Sequence, residues 1–268
     1  MIEQLERAHY REALLRDDPR YSDPKRLFRY SYKVFSQDDE DGAIAEIFRR
    51  IGAERRRFIE IGVGDGLECN TLNLLLQGWS GHWIDTDKKG FARIRVRFGM
   101  FLGITLGSHL HFVNAENIDK FLAPLCPGGE LDLLSIDIDG NDYWVWNAIT
   151  SIQPRVVVIE YNASWHPPLS ITIEYNQDFK WDETNYFGAS LSALTELGAK
   201  KGYNLVGCCF SGSNAYFVRR DLCGSHFAEP FTAENHYEPP RYWIIGPAGH
   251  RPGFGPVTVF PASSAKSK

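Results

Sequence analysis

The segment Phe58-Ile59-Glu60-Ile61-Gly62-Val63-Gly64-Asp65-Gly66 constrains the fold most strongly: an apolar run delivers an acid into a turn of three glycines, and a helical pattern follows. Glycine has no Cβ, so backbone at Gly62, Gly64 and Gly66 can turn tightly and approach a ligand closely. The helix after such a turn leaves its first N–H groups unpaired at the same point. This predicts a nucleotide-type loop in a chain that alternates strand and helix. A dinucleotide loop would read G-x-G-x-x-G, whereas this one is G-x-G-x-G with Glu60 two residues before the first glycine. A carboxylate there can meet an ammonium group, so the expected ligand is cationic.

From the loop onward the alternation continues, which is the signature of a parallel sheet covered on both faces. Strands are expected at Arg57–Ile61, His82–Asp85, Leu110–Asn114, Leu131–Ile138 and Arg155–Tyr161. Leu72, Leu75 and Leu76 mark a helix stopped by Gly78, and Val145, Ala148, Ile149 and Ile152 mark another before Pro154. Ser190 opens a helix carrying Leu191, Leu194 and Leu197 and closed by Lys200, Lys201 and Gly202. Strands at Tyr203–Phe210 and Ala215–Arg219, joined by Ser211-Gly212-Ser213-Asn214, form a final hairpin. Upstream, Ser36, Asp38, Asp39, Glu40 and Asp41 place acids at the start of a helix that carries Ile44, Ile47, Phe48 and Ile51 and ends at Gly52. The helix dipole accounts for those acids without a metal. One domain is expected, with residues 1–52 as an N-terminal helical cap, 53–225 as the core and 226–268 as an extension rich in Pro, Gly and aromatics. Tyr237, Tyr242, Trp243 and Phe254 belong to that extension, and Ser263 to Lys268 read as a disordered tail.

Acids and amides gather where the strands end. Asp85, twenty-five residues after Glu60, is placed to accept from the hydroxyls of a ribose. Asn114 and Glu116 follow the third strand and can meet an adenine edge or further sugar atoms. Asp137 and Asp139 end the fourth strand, and Glu160 and Asn162 end the fifth; in a parallel sheet these ends lie side by side. Such oxygen ligands suit Mg²⁺, with Asp137, Glu160 and Asn162 as the metal set and a polarised substrate oxygen beside it. The same acids serve equally as partners of helix N-termini and cofactor. His166 lies in the aromatic stretch 162–188, which holds Trp165, Trp181, Tyr186 and Phe187 and is assigned to substrate. A near-neutral histidine can take a hydroxyl or amine proton, although a loop histidine also serves structure.

Together with Gly78-Trp79-Ser80-Gly81, Asn114-Ala115-Glu116-Asn117-Ile118 and Ser135-Ile136-Asp137-Ile138-Asp139-Gly140, these motifs resemble class I S-adenosylmethionine (SAM)-dependent methyltransferases, and in detail their FkbM-type branch, over roughly Phe58 to Arg219. The resemblance implies a Rossmann-like sheet of seven strands with an antiparallel last hairpin. It implies SAM held by Gly62, Gly64, Gly66 and Asp137, with Glu60 near the methionine ammonium, Asp85 on the ribose, and Asn114 and Glu116 near the adenine. It implies O-methylation of a small molecule or sugar, in a biosynthetic role, with Asp137, Asp139 and His166 as catalytic candidates. The common FkbM pattern has a lysine before the fourth-strand acid and a glutamate two residues after it, where this chain has Ser135 and Asp139. There is also partial similarity to metal-dependent O-methyltransferases, whose adjacent Asp-Asn pair is here opened to Glu160 and Asn162 around Tyr161.

Composition bounds the partners. A net charge of −5 and a pI of about 5.9 argue against a nucleic-acid backbone, and Arg93, Arg95 and Arg97, alternating with Ile94, Val96 and Phe98, read as a solvated face. Five cysteines with no C-x-x-C spacing leave at least one free thiol and fit a reducing compartment. The charged N-terminus is unlike a secretory signal, and no apolar run approaches ~18 residues. A cytoplasmic chain with no nucleic-acid or membrane partner is the expectation. Two rivals stand beside the methyltransferase: a glycosyltransferase using Asp137-Ile138-Asp139 as its D-x-D motif, and a non-catalytic SAM-binding module.

Overall fold

Successive side chains of a strand point to opposite faces, and here both faces are buried. Ile59, Ile61, Leu134, Ile136, Val157 and Ile159 pack into one core, while Phe58, Leu133, Val156 and Val158 pack into another on the far side of the sheet. The computed structural model describes residues 2–242 and 250–261. Its strands are β1 (Arg57–Ile61), β2 (Ser80–Asp85), β3 (Leu106–Leu110), β4 (Glu130–Ile136), β5 (Gln153–Glu160), β6 (Ile171–Ile173), β7 (Tyr203–Cys208), β8 (Asn214–Arg219) and β9 (Val257–Val259). Its helices are α1 (Ile2–Asp17), α2 (Glu40–Ile51), α3 (Leu72–Leu76), α4 (Lys88–Arg97), α5 (Ile118–Leu122), α6 (Asp142–Ala148), α7 (Leu191–Lys201), α8 (Arg220–Cys223) and α9 (Ala233–His236).

Seven strands form one sheet in the order β3-β2-β1-β4-β5-β8-β7. The first five are mutually parallel, and β8 runs antiparallel to both β5 and β7. Helices α2, α3 and α4 contribute Ile44, Ile47, Leu72, Leu75, Phe91 and Ile94 to one core. Helices α5, α6 and α7 cover the other face with Ile118, Leu122, Trp146, Leu191 and Leu194. Strand order reverses direction between β1 and β4, which opens a crevice at their carboxyl ends.

Several local expectations hold closely. Helix α7 is capped by Ser190, whose side chain accepts from the Ala193 amide, and ends at Gly202 with φ of 89°. The third strand differs: it covers Leu106–Leu110 rather than Leu110–Asn114. It is an edge strand, paired only with β2 from Gly81↔Leu106 to Asp85↔Leu110, so its apolar alternation is weak and the apolar residues past its end mimic strand. The 162–188 stretch contains β6, paired antiparallel with the distant β9, a contact that local periodicity cannot register. Trp243 and Ser263 to Lys268, named above, lie outside the described residues.

The acids at the start of α2 do more than face its dipole. Asp41 Oδ2 accepts from the amides of Val34, Phe35 and Ser36, Asp38 and Asp39 accept from the amides of Ser211 and Phe210, and Glu40 accepts from Asn214 Nδ2. They tie the N-terminal segment to the β7–β8 turn.

Candidate active site

The crevice between β1 and β4 opens into a cleft of about 920 Å³. Its floor is the glycine loop. Gly62, Gly64 and Gly66 all have positive φ, at 87°, 56° and 80°. An added Cβ at Gly62 would fall on the carbonyl of Asp137, whose amide donates to Ile61 O at 3.0 Å; one at Gly66 would meet the rings of Trp83 and Phe98. At Gly64 nothing lies within 4 Å, so that position faces open space. The loop is thus tight where it meets protein and open where it meets the cleft.

Asp85 lies at the end of β2 and lines the cleft. Its Oδ2 accepts from the Gly64 amide at 2.7 Å and its Oδ1 from the Asp87 amide at 2.7 Å, which fixes the carboxylate beside the loop. Asp65, also in the lining, is held by Arg97 at 2.7 Å and Arg93 at 3.4 Å. The Arg97 hydrogen bond lowers the Asp65 carboxyl below its ordinary range. Two of the three α4 arginines read as a solvated face therefore brace the glycine loop.

Glu60 is held within the protein. It is buried and does not line the cleft; its carboxylate accepts from the amides of Asn70 at 2.7 Å and Thr71 at 3.0 Å, and from the Thr71 hydroxyl. Strand alternation sends it under the loop, toward the turn that starts α3, so it shapes the loop from beneath. Ser135, where the resembling family has lysine, accepts from Asn70 Nδ2 at 3.0 Å in the same buried network. Asn114 and Glu116 do not line the cleft either. The Asn114 and Asn117 side chains cap each other's amides at 3.0 Å, and Glu116 accepts from the Tyr175 hydroxyl. Because β3 ends at Leu110, the cleft wall is formed by His111, Phe112 and Val113 instead.

At the far end, Asp137, Asp139 and Glu160 bring carboxylate oxygens within 4.8 Å of one another. Glu160 Oε2 is buried with no hydrogen-bond partner. Burial first, and Asp139 second, push the Asp137 carboxyl well above its usual range; burial and then Asp137 do the same to Glu160. Asp139 opens to the cleft at a φ of 56°, yet burial and then the Asp85 charge raise it as well. Asp142 shapes this turn by accepting from the amides of Ile138 and Gly140, both at 2.9 Å. No Lys or Arg forms an ion pair with the three among the described residues, so the cluster is a natural seat for a cation.

The Asn162 side chain is engaged in the adjoining loop. Its Nδ2 donates to the carbonyls of Asn185 and Phe187, and its Oδ1 accepts from the Ser164 amide, so the whole side chain folds the neighbouring loop. Asp139 takes the place expected for it. His166 is exposed, outside the cleft lining, with Nδ1 3.1 Å from the Tyr237 hydroxyl. The aromatic stretch does reach the cleft, through Phe179, Lys180 and Trp181. It is fastened there by Asn141 Nδ2 donating to Asn176 O at 2.7 Å and by Phe179 lying against Gly140. His250, unremarkable in sequence, sits among the rings of Trp181, Tyr242 and Phe187 at 5.0, 5.1 and 5.7 Å. No local signal marks it, because the contact joins distant segments.

The architecture is the Rossmann-like sheet of class I methyltransferases: seven strands with the last hairpin antiparallel. No protein-family description and no curated protein matches the chain. Among solved structures, the chain is similar to the N-terminal domain of EvdMO1 with SAH bound, at 13% identity over 81% of this chain and 96% of that one, with a TM-score of 0.45. It is also similar to magnesium protoporphyrin IX methyltransferase (ChlM) from Synechocystis PCC 6803 with bound SAH, at 11% identity, 80% and 99% coverage and a TM-score of 0.44. A SAM-dependent methyltransferase from Clostridium acetobutylicum ATCC 824 matches at 11% identity, 80% and 98% coverage and a TM-score of 0.41. Likenesses of this degree leave the fold resting on the strand order itself. No helix among the described residues is long and apolar enough to cross a membrane.

Proposed function

We propose that this chain is a SAM-dependent methyltransferase of the FkbM type, acting on a hydroxyl of a small molecule or sugar in a biosynthetic role. The observation that carries the reading is the pairing of Asp85 with Gly64: a carboxylate held at the mouth of a glycine cradle, at the point where strand order reverses. Gly62 and Gly66 fit the loop tightly to the protein while Gly64 opens outward, which leaves room for a ligand beside Asp85. Residues 53–225 would supply this cofactor-binding core. Bound there, SAM supplies a methyl group already activated as a sulfonium. The chain's own part would be to align it: Asp85 would receive ribose hydroxyls, and Asp137 would face the cationic end.

On the acceptor side, Asp137, Asp139 and Glu160 would hold a divalent cation, Mg²⁺ by their all-oxygen chemistry. A cation there would polarise the acceptor oxygen. Without one, burial and mutual repulsion favour the protonated form of the three neighbouring carboxylates. Phe179 and Trp181 exclude water from the acceptor end. Calorimetry tests the reading: SAM and its demethylated product should bind, and UDP-sugars should not. Binding of a UDP-sugar through Asp137 and Asp139 with no SAM affinity would replace it by the glycosyltransferase.

A further inference from the structure

The chain is acidic overall, yet one surface beside the glycine loop is basic and apolar at once. Helix α4 reads Lys-Lys-Gly-Phe-Ala-Arg-Ile-Arg-Val-Arg and contains no acid. Its buried side, Phe91 and Ile94, packs on the core, and its first turn lies against the loop at Gly90, where an added Cβ would meet Gly64 O. Arg93 and Arg97 reach back to Asp65. Lys88, Lys89 and Arg95 are exposed and have no carboxylate partner among the described residues.

Immediately after them stand three of the most exposed large apolar side chains: Val96 at 85%, Met100 at 76% and Ile104 at 81%. Isolated apolar side chains on a surface are ordinary, but three within nine residues, directly following unpaired cations, are not. A second copy of the chain is a poor occupant, because a two-fold contact would set the basic stripe against itself. Nucleic acid is a poor one too, since single strands are gripped by aromatic platforms and this surface presents aliphatic and thioether groups. A basic helix followed by an exposed apolar segment matches an anionic bilayer surface, with phosphates for the cations of α4 and acyl chains for Val96, Met100 and Ile104.

We propose that α4 and the Val96–Ile104 segment form a peripheral docking surface for anionic lipid, which would bring the mouth of the cleft beside the bilayer. This concerns contact with a surface and needs no spanning helix. It is independent of the methyltransferase reading, because Lys88, Lys89, Arg95, Val96, Met100 and Ile104 do not line the cleft.

Vesicle co-sedimentation tests it, with phosphatidylcholine alone against phosphatidylcholine containing phosphatidylglycerol. The wild-type chain should pellet with the anionic vesicles only and be released by raised salt. K88E/K89E/R95E and, separately, V96D/M100D/I104D should each lower vesicle affinity at least about tenfold, given the contribution of each basic group near an anionic surface. Both variants alter only exposed positions, and an unchanged thermal transition shows that they fold. No binding to anionic vesicles at low salt overturns the proposal, as does equal binding by wild type and both folded variants. A wild-type dimer that V96D/M100D/I104D converts to monomer, without vesicle binding, overturns it in favour of self-association.

Discussion

The Gly64 amide donates to Asp85 Oδ2 at 2.7 Å, joining the glycine loop to the end of the neighbouring strand. One carboxylate thereby sets the loop and faces the cleft. Asp85→Ala should remove both functions, and losing a charged acceptor costs on the order of 1.5–3 kcal/mol, so SAM affinity should fall about tenfold or more. Calorimetry on the folded variant checks this, and unchanged affinity would remove Asp85 from the cofactor site.

Two glycines of the same loop should respond differently. Gly62→Ala forces a Cβ onto the Asp137 carbonyl at a φ of 87° and should destabilise the fold by at least about 3 kcal/mol, read as a large drop in thermal midpoint. Gly64→Ala meets no atom within 4 Å, so it should fold at a cost of only about 1–2 kcal/mol. Gly64→Val, β-branched at a φ of 56°, should cost more than Gly64→Ala and weaken SAM, because its side chain enters the cleft. Equal destabilisation at both positions would contradict this geometry.

Arg97 is expected to act on the cofactor through Asp65. Both partners are partly exposed, so the ion pair itself contributes little to stability, of order 0.5 kcal/mol. Arg97→Ala should leave the thermal midpoint nearly unchanged while raising the KM for SAM several-fold, and Arg97→Lys should recover part of the loss. A fall in kcat with KM unmoved would point away from the loop.

The acid cluster and His166 make separable demands. With Asp137, Asp139 and Glu160 as the cation seat, a chelator should abolish turnover and leave SAM affinity nearly intact, and Mg²⁺ should restore activity. His166→Ala should keep activity within a few-fold, since the ring lies outside the cleft. A loss of kcat by about 10²–10⁴-fold in His166→Ala, with no chelator effect, would instead make it the base. Full activity in both tests would leave alignment of donor and acceptor as the main device.

Glu40 gives a pH signature. Burial first, and Asp38 second, raise its carboxyl from the ordinary 4.5 to about 7. Between those values the folded chain holds more protons than the unfolded one, so this group's contribution to stability is present below about 4.5 and is lost as pH rises through about 7. His82, lowered to about 4 mainly by burial, acts in the opposite direction over part of that range. The difference between wild type and Glu40→Gln isolates the acid: the variant should lack up to about 3 kcal/mol of the decline in denaturant-measured stability. Parallel stability curves from pH 4.5 to 7 would refute it.

Much of this molecule is written locally. The glycine loop, the Ser190 cap, the Gly202 stop and the β7–β8 hairpin depend on residues within a few positions of one another, and period and turn chemistry are read at that range. Asp85 follows from the same logic, because a strand beside a glycine loop must end beside it. The bounds of the edge strand β3 are less legible, since exposure on one side weakens its pattern.

The amino-acid order by itself determined the alternating sheet, its antiparallel ending, the glycine cradle and the gathering of acids at the strand ends, because each is a repeat of local geometry. Only the tertiary structure decided which of those side chains face the cleft. Glu60 and Asn162 are drawn away by amides and carbonyls of their surroundings, Asp139 enters the acid cluster, and His250 arrives beside Trp181 from the far end of the chain. The physical reason is that a buried polar group turns to whatever partner desolvation leaves it, and those partners come from segments that sequence proximity does not join.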